Sequence, residues 1–537
     1  LSSSSAASDV YKRQDNDVAF RYNLRKPKGT GSARIMKEMT GFRFPDKSTA
    51  FLSPQSDAMI GWKRTKPSYE EEYIIDAPLD TKSKYGHGFT FPALFRIGDD
   101  GWALVSETGV DRRYCASRLS DSESGLYKVE FPMAEENNGN GTVEPAFSLP
   151  GSTPWRTITI ADGLAPIVET TSPWNTVSPR FKSDKVYNPG KGTWSWIVWQ
   201  DNSINKEDIK KYIDLAGEMG YEYTLIDNWW DNNIGRDGIR ELIEYGKNKN
   251  VTPLMWYSSS GYWNDIEQSP INIMDNPITR KKEMEWLKNI GVKGIKVDFF
   301  GGDKQETMRL YEDILSDADD YGLMVIFHGC TLPRGWEVMY PNYVGSEAVL
   351  ASENMVFDQH FCDKEAENAS LHPFIRNAVG AMEFGGVFLN KHLNKGNDGG
   401  TQRKTTDAFE LATAVIFQSP AQNFALTPGN LTDAPREALE FMKTVPTLWD
   451  DTKYIDGYPG RYAVIARKSE GKWYVAGINA GPEVRHLDLD LGFLGKGNAM
   501  ILKDSENGSL AEENISILPG KKVRISIAPN SGFVIVK

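Results

Sequence analysis

A carboxylate at the end of a predicted buried strand is the first feature that points to chemistry. The stretch GVKGIKVDFFGGD, residues 291–303, contains an apolar run that carries Asp298. A carboxylate that is buried without a partner costs several kcal/mol or becomes neutral. Asp298 therefore either forms a structural ion pair with neighbouring Lys296 or takes part in chemistry at the carboxyl end of the strand.

Further polar side chains follow other predicted strands at the corresponding ends. In chain order they are Asp201, Asp227, Asn228, Trp256, Asp298 and His328, and Glu347 and Glu353 flank the run AVLAS. Catalytic groups of parallel barrels lie at the carboxyl ends of the strands. We therefore expect these side chains to converge on one face.

Two carboxyl groups on either side of a bond are what glycoside hydrolysis requires. One protonates the leaving oxygen, and the other attacks the sugar or activates water. We select Asp298 and Glu353 as this pair, with Glu347 as the competitor for the second position. A separation of about 5–5.5 Å between the two carboxyl groups predicts a retaining mechanism.

Aromatic residues in polar surroundings indicate a sugar ligand. Phe, Trp and Tyr make up 11% of the chain and recur in WSWIVWQDN, DNWWDNN and MWYSSSGYWND. Aromatic faces beside amides and carboxylates suit the C–H faces and hydroxyl edges of sugars. We expect Asp227 and Trp256 to bind substrate. The alternative is that about half of these aromatic residues fill the core, since Trp196, Trp199 and Trp256 alternate on predicted strands.

Strand and helix patterns alternate from residue 193 onward. Two helices have clear boundaries, one from an Asn205 cap to Gly220 and one from an Asn276 cap to Gly291. This alternation predicts a (β/α)₈ barrel over residues 181–445. The segments SEAVLASEN, AMEFGGVFLN and TAVIFQSP are assigned to its last three strands.

The flanking regions have the period of β structure. Short alternating runs predict an N-terminal β-sandwich over residues 15–180 and a C-terminal β-sandwich over residues 446–537. Residues 1–14 contain DVYKRQ, which matches the translation of a sequencing adaptor, and we exclude them from the fold. The predicted class is multidomain α/β plus β.

Composition excludes several kinds of partner. The net charge of −12 and the pI of about 5.3 disfavour nucleic acid and anionic membranes. The sequence contains no run of 18 apolar residues, so it predicts no membrane insertion. The three Cys residues lie far apart and indicate neither a disulfide framework nor a zinc site. We expect a monomer that acts on an oligosaccharide or another glycoside.

Three stretches carry a resemblance to a known family. LVSETGVD, KGIKVDFF and FHGCTLPRGWEVMYPNYVGSEAVLASEN together resemble glycoside hydrolase family 97. The family implies the same order of β-sandwich, barrel and C-terminal β domain. Compared with the N-terminal sandwich of family members, the one predicted here is expected to be truncated. We expect the full-length protein to be periplasmic or secreted, with its signal peptide absent from this chain.

The resemblance also implies a mechanism. Inverting members of the family, which are α-glucosidases, carry Glu directly after the His of strand five, where this chain has Gly329. Retaining members, which resemble α-galactosidases, carry a nucleophilic Asp on strand four. The implied roles are nucleophile for Asp298, general acid/base for Glu353, and binding of sugar hydroxyls for Lys296 and His328.

A calcium ion is a further implication of the resemblance. The matching ligands are Glu107 from the N-terminal domain and Glu347 and Glu353 from the barrel. Carboxylate oxygens suit Ca²⁺. A positive charge beside Glu353 would tune its acidity.

The leading interpretation is a retaining, exo-acting α-galactosidase, and three alternatives stay open. An inverting α-glucosidase is one. A retaining β-L-arabinopyranosidase is another, because that sugar matches galactose except at the C5 substituent. The third is a carbohydrate-binding protein without catalysis.

Overall fold

The computed structural model describes residues 7–13, 15–58 and 68–537, the first segment by its backbone alone. An antiparallel sheet domain comes first along the chain, followed by a parallel barrel and a second antiparallel domain. The predicted fold class is therefore confirmed.

The N-terminal domain is built on one large antiparallel sheet. Its strands in spatial order are Ala7–Arg13, Asp17–Leu24, Trp155–Ala161, Trp102–Thr108, Ala93–Ile97, Ser48–Leu52 and Ile74–Pro78, with Gly151–Ser152 beside Asp17–Leu24. The first of these lies within the residues that we excluded from the fold, and its backbone pairs with Asp17–Leu24.

Shorter strands form a second layer over this sheet. They are Gly41–Arg43, Leu126–Glu130 and Arg118–Leu119 in one group, and Ser32–Arg34 with Ala146–Ser148 in another. Phe95 of the large sheet stacks on Phe44, with ring centroids 3.7 Å apart, and lies 5.2 Å from Tyr127 of the small one. Aromatic side chains from the two faces thus fill the core between the layers.

Seven parallel strands form the barrel sheet. Barrel strands 1 to 6 are Lys191–Trp194, Tyr223–Ile226, Thr252–Ser258, Gly294–Asp298, Met324–Phe327 and Tyr343–Ser346, and Gln422–Phe424 returns beside strand 1 as the closing strand. Between strand 6 and the closing strand, residues 381–390 form no strand, which corrects the prediction for AMEFGGVFLN. This segment still bridges the gap, because Glu383 N donates to Ser346 O and Ala425 N donates to Gly386 O. Positive φ angles at Gly385 and Val387 explain why no regular ladder forms there.

Helices cover the barrel and join it to its neighbours. The longer ones are Lys206–Met219, Gly235–Lys247, Pro277–Ile290, Gln305–Tyr321, Gln359–Ala369, Asp407–Ile416 and Arg436–Thr444. Short helices are Ala165–Val168, Ser172–Asn175, Trp196–Trp199, Trp230–Asn233, Trp336–Met339 and Asn430–Asp433. The 3₁₀ helices are Glu136–Gly139, Asp201–Ser203, Ser352–Val356, His372–Phe374 and Gly492–Leu494.

The two capped helices begin and end where the sequence predicts. Asn205 accepts a hydrogen bond from Asp208 N, and Asn276 accepts one from Ile278 N. Gly220 and Gly291 end these helices with φ of 68° and 100°, in the left-handed region that glycine tolerates best.

Three further strand predictions need correction. SEAVLASEN, residues 346–354, lies after strand 6 except for Ser346, because that strand is Tyr343–Ser346. The first half of TAVIFQSP, residues 413–416, lies in the helix Asp407–Ile416, which is capped by Thr406 and packs on the C-terminal sheet. This helix is buried on all sides, so its sequence lacks the polar face that distinguishes a helix from a strand. TWSWIVWQD would be a strand if Trp196 and Trp199 filled the core from it, but the strand ends at Trp194, and Trp196–Trp199 forms a helical turn.

The C-terminal domain confirms the predicted β pattern. Its larger sheet contains Asp451–Tyr458, Tyr462–Ser469, Lys472–Asn479, Gly532–Val536, Gly497–Asp504 and Leu510–Ile517, and its smaller sheet pairs Arg485–Leu489 with Val523–Ile527. Aliphatic side chains of both sheets share one core. Across the described ranges, none of the helices combines the length and the apolar character that a membrane crossing needs.

Candidate active site

Register brings the predicted residues to one edge of the barrel. Trp256 on strand 3 pairs with Lys296 on strand 4, and Ser258 pairs with Asp298. His328 and Glu347 directly follow strands 5 and 6. Since neighbouring parallel strands end at the same edge, these side chains converge as expected.

A cavity of about 430 Å³ lies at this edge. Among the predicted residues, its lining includes Asp227, Trp256, Lys296, Asp298, Glu347 and Glu353. Asn228, which was also expected at this edge, lines the cavity too. The lining further contains residues that were not predicted to belong to the site, namely Glu70, Trp196, Gln268, Phe299 and Gly329.

Asp298 is held as an oriented carboxylate. Its Oδ2 accepts a hydrogen bond from Trp256 Nε1 at 3.0 Å, and its Oδ1 accepts one from Phe299 N at 2.8 Å. Lys296 Nζ lies 3.7 Å from Asp298 Oδ2. The ion pair and the catalytic placement are therefore compatible.

The backbone is strained directly after Asp298. Phe299 has φ of 64°, a costly angle for a bulky residue.

Lys296 supplies the positive charge of the cavity. Its Nζ lies 3.2 Å from Asp227 Oδ2 and 4.0 Å from the centroid of the Trp194 ring. Burial alone would lower the pKa of Lys296, but the charges of Asp227 and Asp298 outweigh it and raise the pKa. A permanent positive charge therefore lies 3.7 Å from the Asp298 carboxylate.

Glu353 has the acidity that suits proton transfer. It lies on the 3₁₀ helix Ser352–Val356 and faces the same cavity as Asp298. Burial, opposed by Lys296 and His328 and reinforced by Glu70 and Asp298, raises the pKa of Glu353 to about 7. A carboxyl group that is protonated near neutral pH can act as a general acid.

His328 is held from both ring nitrogens. Nε2 lies 2.6 Å from Glu383 Oε2, and Nδ1 lies 3.5 Å from Glu347 Oε2. Burial alone would raise the pKa of Glu383, but His328 and Lys296 lower it. A hydrogen bond from Nε2 to the ionised Glu383 would leave Nδ1 facing the Glu347 carboxyl group. The structure thus places His328 beside the carboxyl cluster, and its predicted binding of a sugar hydroxyl stays a prediction.

Glu347 and its neighbours have the donor set of a cation site. Ligand atoms of His328, Glu347 and Glu353 lie within 4.8 Å of one another. Glu347 Oε2 accepts a hydrogen bond from Gly329 N, but Oε1 is buried and has no hydrogen-bond partner among the described residues. Burial, then the charges of Glu70, Glu353 and Asp298, raises the pKa of Glu347. A hard cation would relieve this repulsion, so the residues fit Ca²⁺.

Glu107 lies outside this cluster. Its Oε1 accepts hydrogen bonds from Arg334 Nε and Ser117 N, each at 2.7 Å, and its Oε2 accepts from Ser117 Oγ and pairs with Arg156. These contacts occupy the carboxylate in a buried network. Among the described residues of the N-terminal domain, Glu70 lines the same cavity as Glu347 and Glu353, so it is the candidate ligand from that domain.

This assignment predicts opposite behaviour for two glutamates. Glu107→Gln should lower the unfolding temperature, because removing one member of a buried ion pair costs about 3–5 kcal/mol. If the cluster binds Ca²⁺, added CaCl₂ should raise the unfolding temperature, and Glu70→Gln should weaken that rise. Thermal unfolding of both variants, with EDTA and with CaCl₂, measures the two effects. A calcium response that is lost in Glu107→Gln and intact in Glu70→Gln would reverse the assignment.

Comparisons with known proteins agree with this geometry. Family models described as Glycosyl-hydrolase 97 N-terminal, Glycoside hydrolase 97, and Glycosyl-hydrolase 97 C-terminal, oligomerisation match residues 9–179, 186–349 and 448–536. The last description names oligomerisation and so does not support the expected monomer.

Two curated relatives share about a quarter of their residues with this chain. One is a probable retaining alpha-galactosidase of Streptomyces bingchenggensis, 27% identical over 98% of this chain and 76% of that protein. The other is a retaining alpha-galactosidase of Bacteroides thetaiotaomicron, 26% identical over 98% of this chain and 82% of that protein.

Solved structures show the same fold. A beta-arabinopyranosidase superposes with a TM-score of 0.98 and is 64% identical, covering 98% of this chain and 84% of that one. A family 97 enzyme from Pseudoalteromonas sp. strain K8 in complex with panose has a TM-score of 0.81 and 22% identity, covering 99% and 85%.

Proposed function

Since the chain belongs to glycoside hydrolase family 97, we propose that it is a retaining exo-glycosidase whose preferred substrates are β-L-arabinopyranosides. The solved beta-arabinopyranosidase, 64% identical, supports this sugar more strongly than the alpha-galactosidases at 26–27% support galactose. The order of the two sugars is thus the reverse of the order expected from the sequence.

The lack of space at Gly329 is the observation that most directly supports a retaining mechanism. A Cβ placed on Gly329 would lie 2.7 Å from Asp298 Oδ1 and 2.7 Å from Phe299 N. Gly329 also has φ of 47°, in the region that favours glycine. The inverting members of the family carry Glu at this position. The side chain of that Glu would clash with Asp298 and Phe299 as they lie here. The chain has space for a nucleophile on strand 4 and none for an inverting base after His328.

The proposed reaction has two steps. Asp298 attacks the anomeric carbon and forms a glycosyl ester, while the bond to the leaving oxygen breaks and that oxygen takes the proton of Glu353. The Glu353 carboxylate then removes a proton from water, which attacks the same carbon and releases Asp298. Hydrogen bonds from Trp256 and Phe299 hold Asp298 in the orientation for attack.

The choice of sugar is tested with glycosides that differ at one position. β-L-Arabinopyranosides and α-D-galactopyranosides share ring stereochemistry but differ in the C5 hydroxymethyl group. We expect kcat/KM for the p-nitrophenyl β-L-arabinopyranoside to exceed that for the α-galactoside by about tenfold or more, the usual effect of one such group in a fitted pocket. The p-nitrophenyl α-glucoside serves as the control, and its preferential hydrolysis would contradict the proposal.

An α-galactosidase is the second candidate function. Two curated relatives that align over 98% of this chain are named for that activity. A kcat/KM for the α-galactoside above that for the β-L-arabinopyranoside would favour it and leave the two-step mechanism unchanged.

We also propose that Ca²⁺ is held by Glu70, Glu347 and Glu353, with His328 at the edge of the site. The buried Oε1 of Glu347 and the three neighbouring carboxyl groups support this proposal. When bound, the ion would supply positive charge beside the general acid/base and hold the N-terminal domain against the barrel.

Removal of calcium should therefore affect both stability and activity. After EDTA treatment we expect a lower unfolding temperature and a loss of activity that CaCl₂ restores. A ligand present at about 100 times its Kd stabilises the folded state by about 2.7 kcal/mol, which sets the scale of the thermal shift. Unchanged unfolding temperature and activity after exhaustive chelation would contradict the proposal.

A further inference from the structure

An exposed aromatic residue directly follows the helix that carries the general acid. Phe357 directly follows the 3₁₀ helix Ser352–Val356 that carries Glu353, and its N donates to Asn354 O. Half of its surface, 50%, is exposed. Single exposed hydrophobic residues are common on proteins, so exposure alone assigns no role.

The contacts of Phe357 connect it to the cavity. Its ring lies edge-on to Trp196, with centroids 6.0 Å apart and an interplanar angle of 66°. Trp196 in turn lines the cavity that holds Asp298 and Glu353. An apolar surface thus runs from the cavity wall to the exposed ring of Phe357.

Trp196 is a fixed rather than an adaptable surface. Its Nε1 donates to Asp201 Oδ1 at 2.7 Å, and the same oxygen accepts from Asn228 Nδ2 at 3.1 Å. The indole also stacks on Trp194, with centroids 5.7 Å apart and planes 18° from parallel. A ring that is already oriented loses little conformational entropy when a ligand packs against it.

The chemistry determines which part of the substrate meets this surface. The general acid must reach the glycosidic oxygen, so the leaving group lies on the side of Glu353, while the ring of the cleaved sugar lies over Asp298. We propose that Trp196 and Phe357 form a subsite for the leaving group, one that takes aglycones with a flat apolar face, either an aromatic ring or the C–H face of a second sugar. The inference rests on the proposed function and adds the substrate class on the leaving-group side.

The test compares substrates that share a sugar and differ in the leaving group. Glycosyl fluorides carry no ring in the leaving group, so the ratio of kcat/KM for the phenyl glycoside to that for the fluoride isolates the contact. Phe357→Ala should lower this ratio by about five- to tenfold, the scale of one aromatic contact. Phe357→Tyr keeps the ring and should keep the ratio. Ile160→Ala is the matched control, because Ile160 is 52% exposed on the N-terminal sheet and distant in sequence.

The outcomes separate this inference from the proposed function. An unchanged ratio in Phe357→Ala, or equal losses on both substrates, would overturn the subsite. The parent enzyme is also assayed on the phenyl glycosides and glycosyl fluorides of both β-L-arabinopyranose and α-D-galactopyranose. If it hydrolyses none of them, the proposed function is overturned and the subsite with it. A disaccharide in place of the phenyl glycoside distinguishes the two kinds of aglycone: a larger effect on the disaccharide marks a sugar, and a larger effect on the phenyl glycoside marks an aromatic ring.

Discussion

Asp298→Ala should lower kcat/KM by at least about 10⁴-fold, since the covalent route is lost with the nucleophile. The substitution also removes the acceptor of the hydrogen bonds from Trp256 Nε1 and Phe299 N. Lys296 keeps its ion pair with Asp227, so these two charged side chains should hold their positions in the cavity. Steady-state kinetics on the p-nitrophenyl β-L-arabinopyranoside, with thermal unfolding as the check on folding, measures the effect.

Azide distinguishes a lost nucleophile from general damage. The space left by the Asp298 carboxylate lies beside the anomeric carbon in the proposed reaction, so added azide should restore part of the activity of Asp298→Ala. The product should be a glycosyl azide of inverted configuration, because a single displacement replaces two. A variant that keeps most of the parent activity without azide would rule out Asp298 as the nucleophile.

Glu353→Gln should lower kcat/KM by about 10²–10⁴-fold for a methyl glycoside, the usual contribution of general acid catalysis. The loss should be smaller for p-nitrophenyl glycosides in the first step, because that leaving group departs with little protonation. Equal losses on both substrates would assign Glu353 to binding instead. Thermal unfolding of Glu353→Gln again checks the fold.

The pH profile provides the control for Glu353. The first step requires its protonated form, and burial, ahead of the neighbouring charges, raises its pKa to about 7. The acid form is therefore present below that pKa and is lost as the pH rises through it, so kcat/KM should fall on the basic side. In the calcium-loaded enzyme the limb should lie below pH 7, since a neighbouring cation favours the carboxylate. In Glu353→Gln this limb should disappear.

The sequence predicted the regular part of the site well. Asp298, Lys296 and Trp256 lie on strands 3 and 4, whose apolar runs and flanking helix caps are local signals. Position on the strand then fixes which edge of the barrel each side chain reaches. The carboxyl ends of the strands could therefore be read as a site without any tertiary information.

The irregular part of the site could not be predicted in the same way. Glu70 lies in SYEEEY, a polar segment typical of a solvated surface, and reaches the cavity only through the docking of the N-terminal domain. Glu383 lies in a segment that was predicted as a strand and instead bridges the barrel gap. Glu107 was assigned by resemblance, but position in a motif does not reveal that Arg156 and Arg334 occupy its carboxylate.

Trp196 shows how one error in secondary structure hides a function. On a continuous strand it would alternate with its neighbours and fill the core. The chain turns into a helix after Trp194, and the turn places Trp196 on the cavity wall. A run of aromatic residues with no clear period gives no signal for such a turn.

Trapping the covalent intermediate tests the central claim most directly. A fluorinated β-L-arabinopyranoside with an activated leaving group should form the ester quickly and hydrolyse it slowly, because the electron-withdrawing fluorine disfavours an oxocarbenium-like transition state. Digestion and mass spectrometry of the trapped enzyme should locate the added sugar on the peptide that contains Asp298. A label on any other residue, or no label together with a product of inverted configuration, would contradict the double-displacement mechanism.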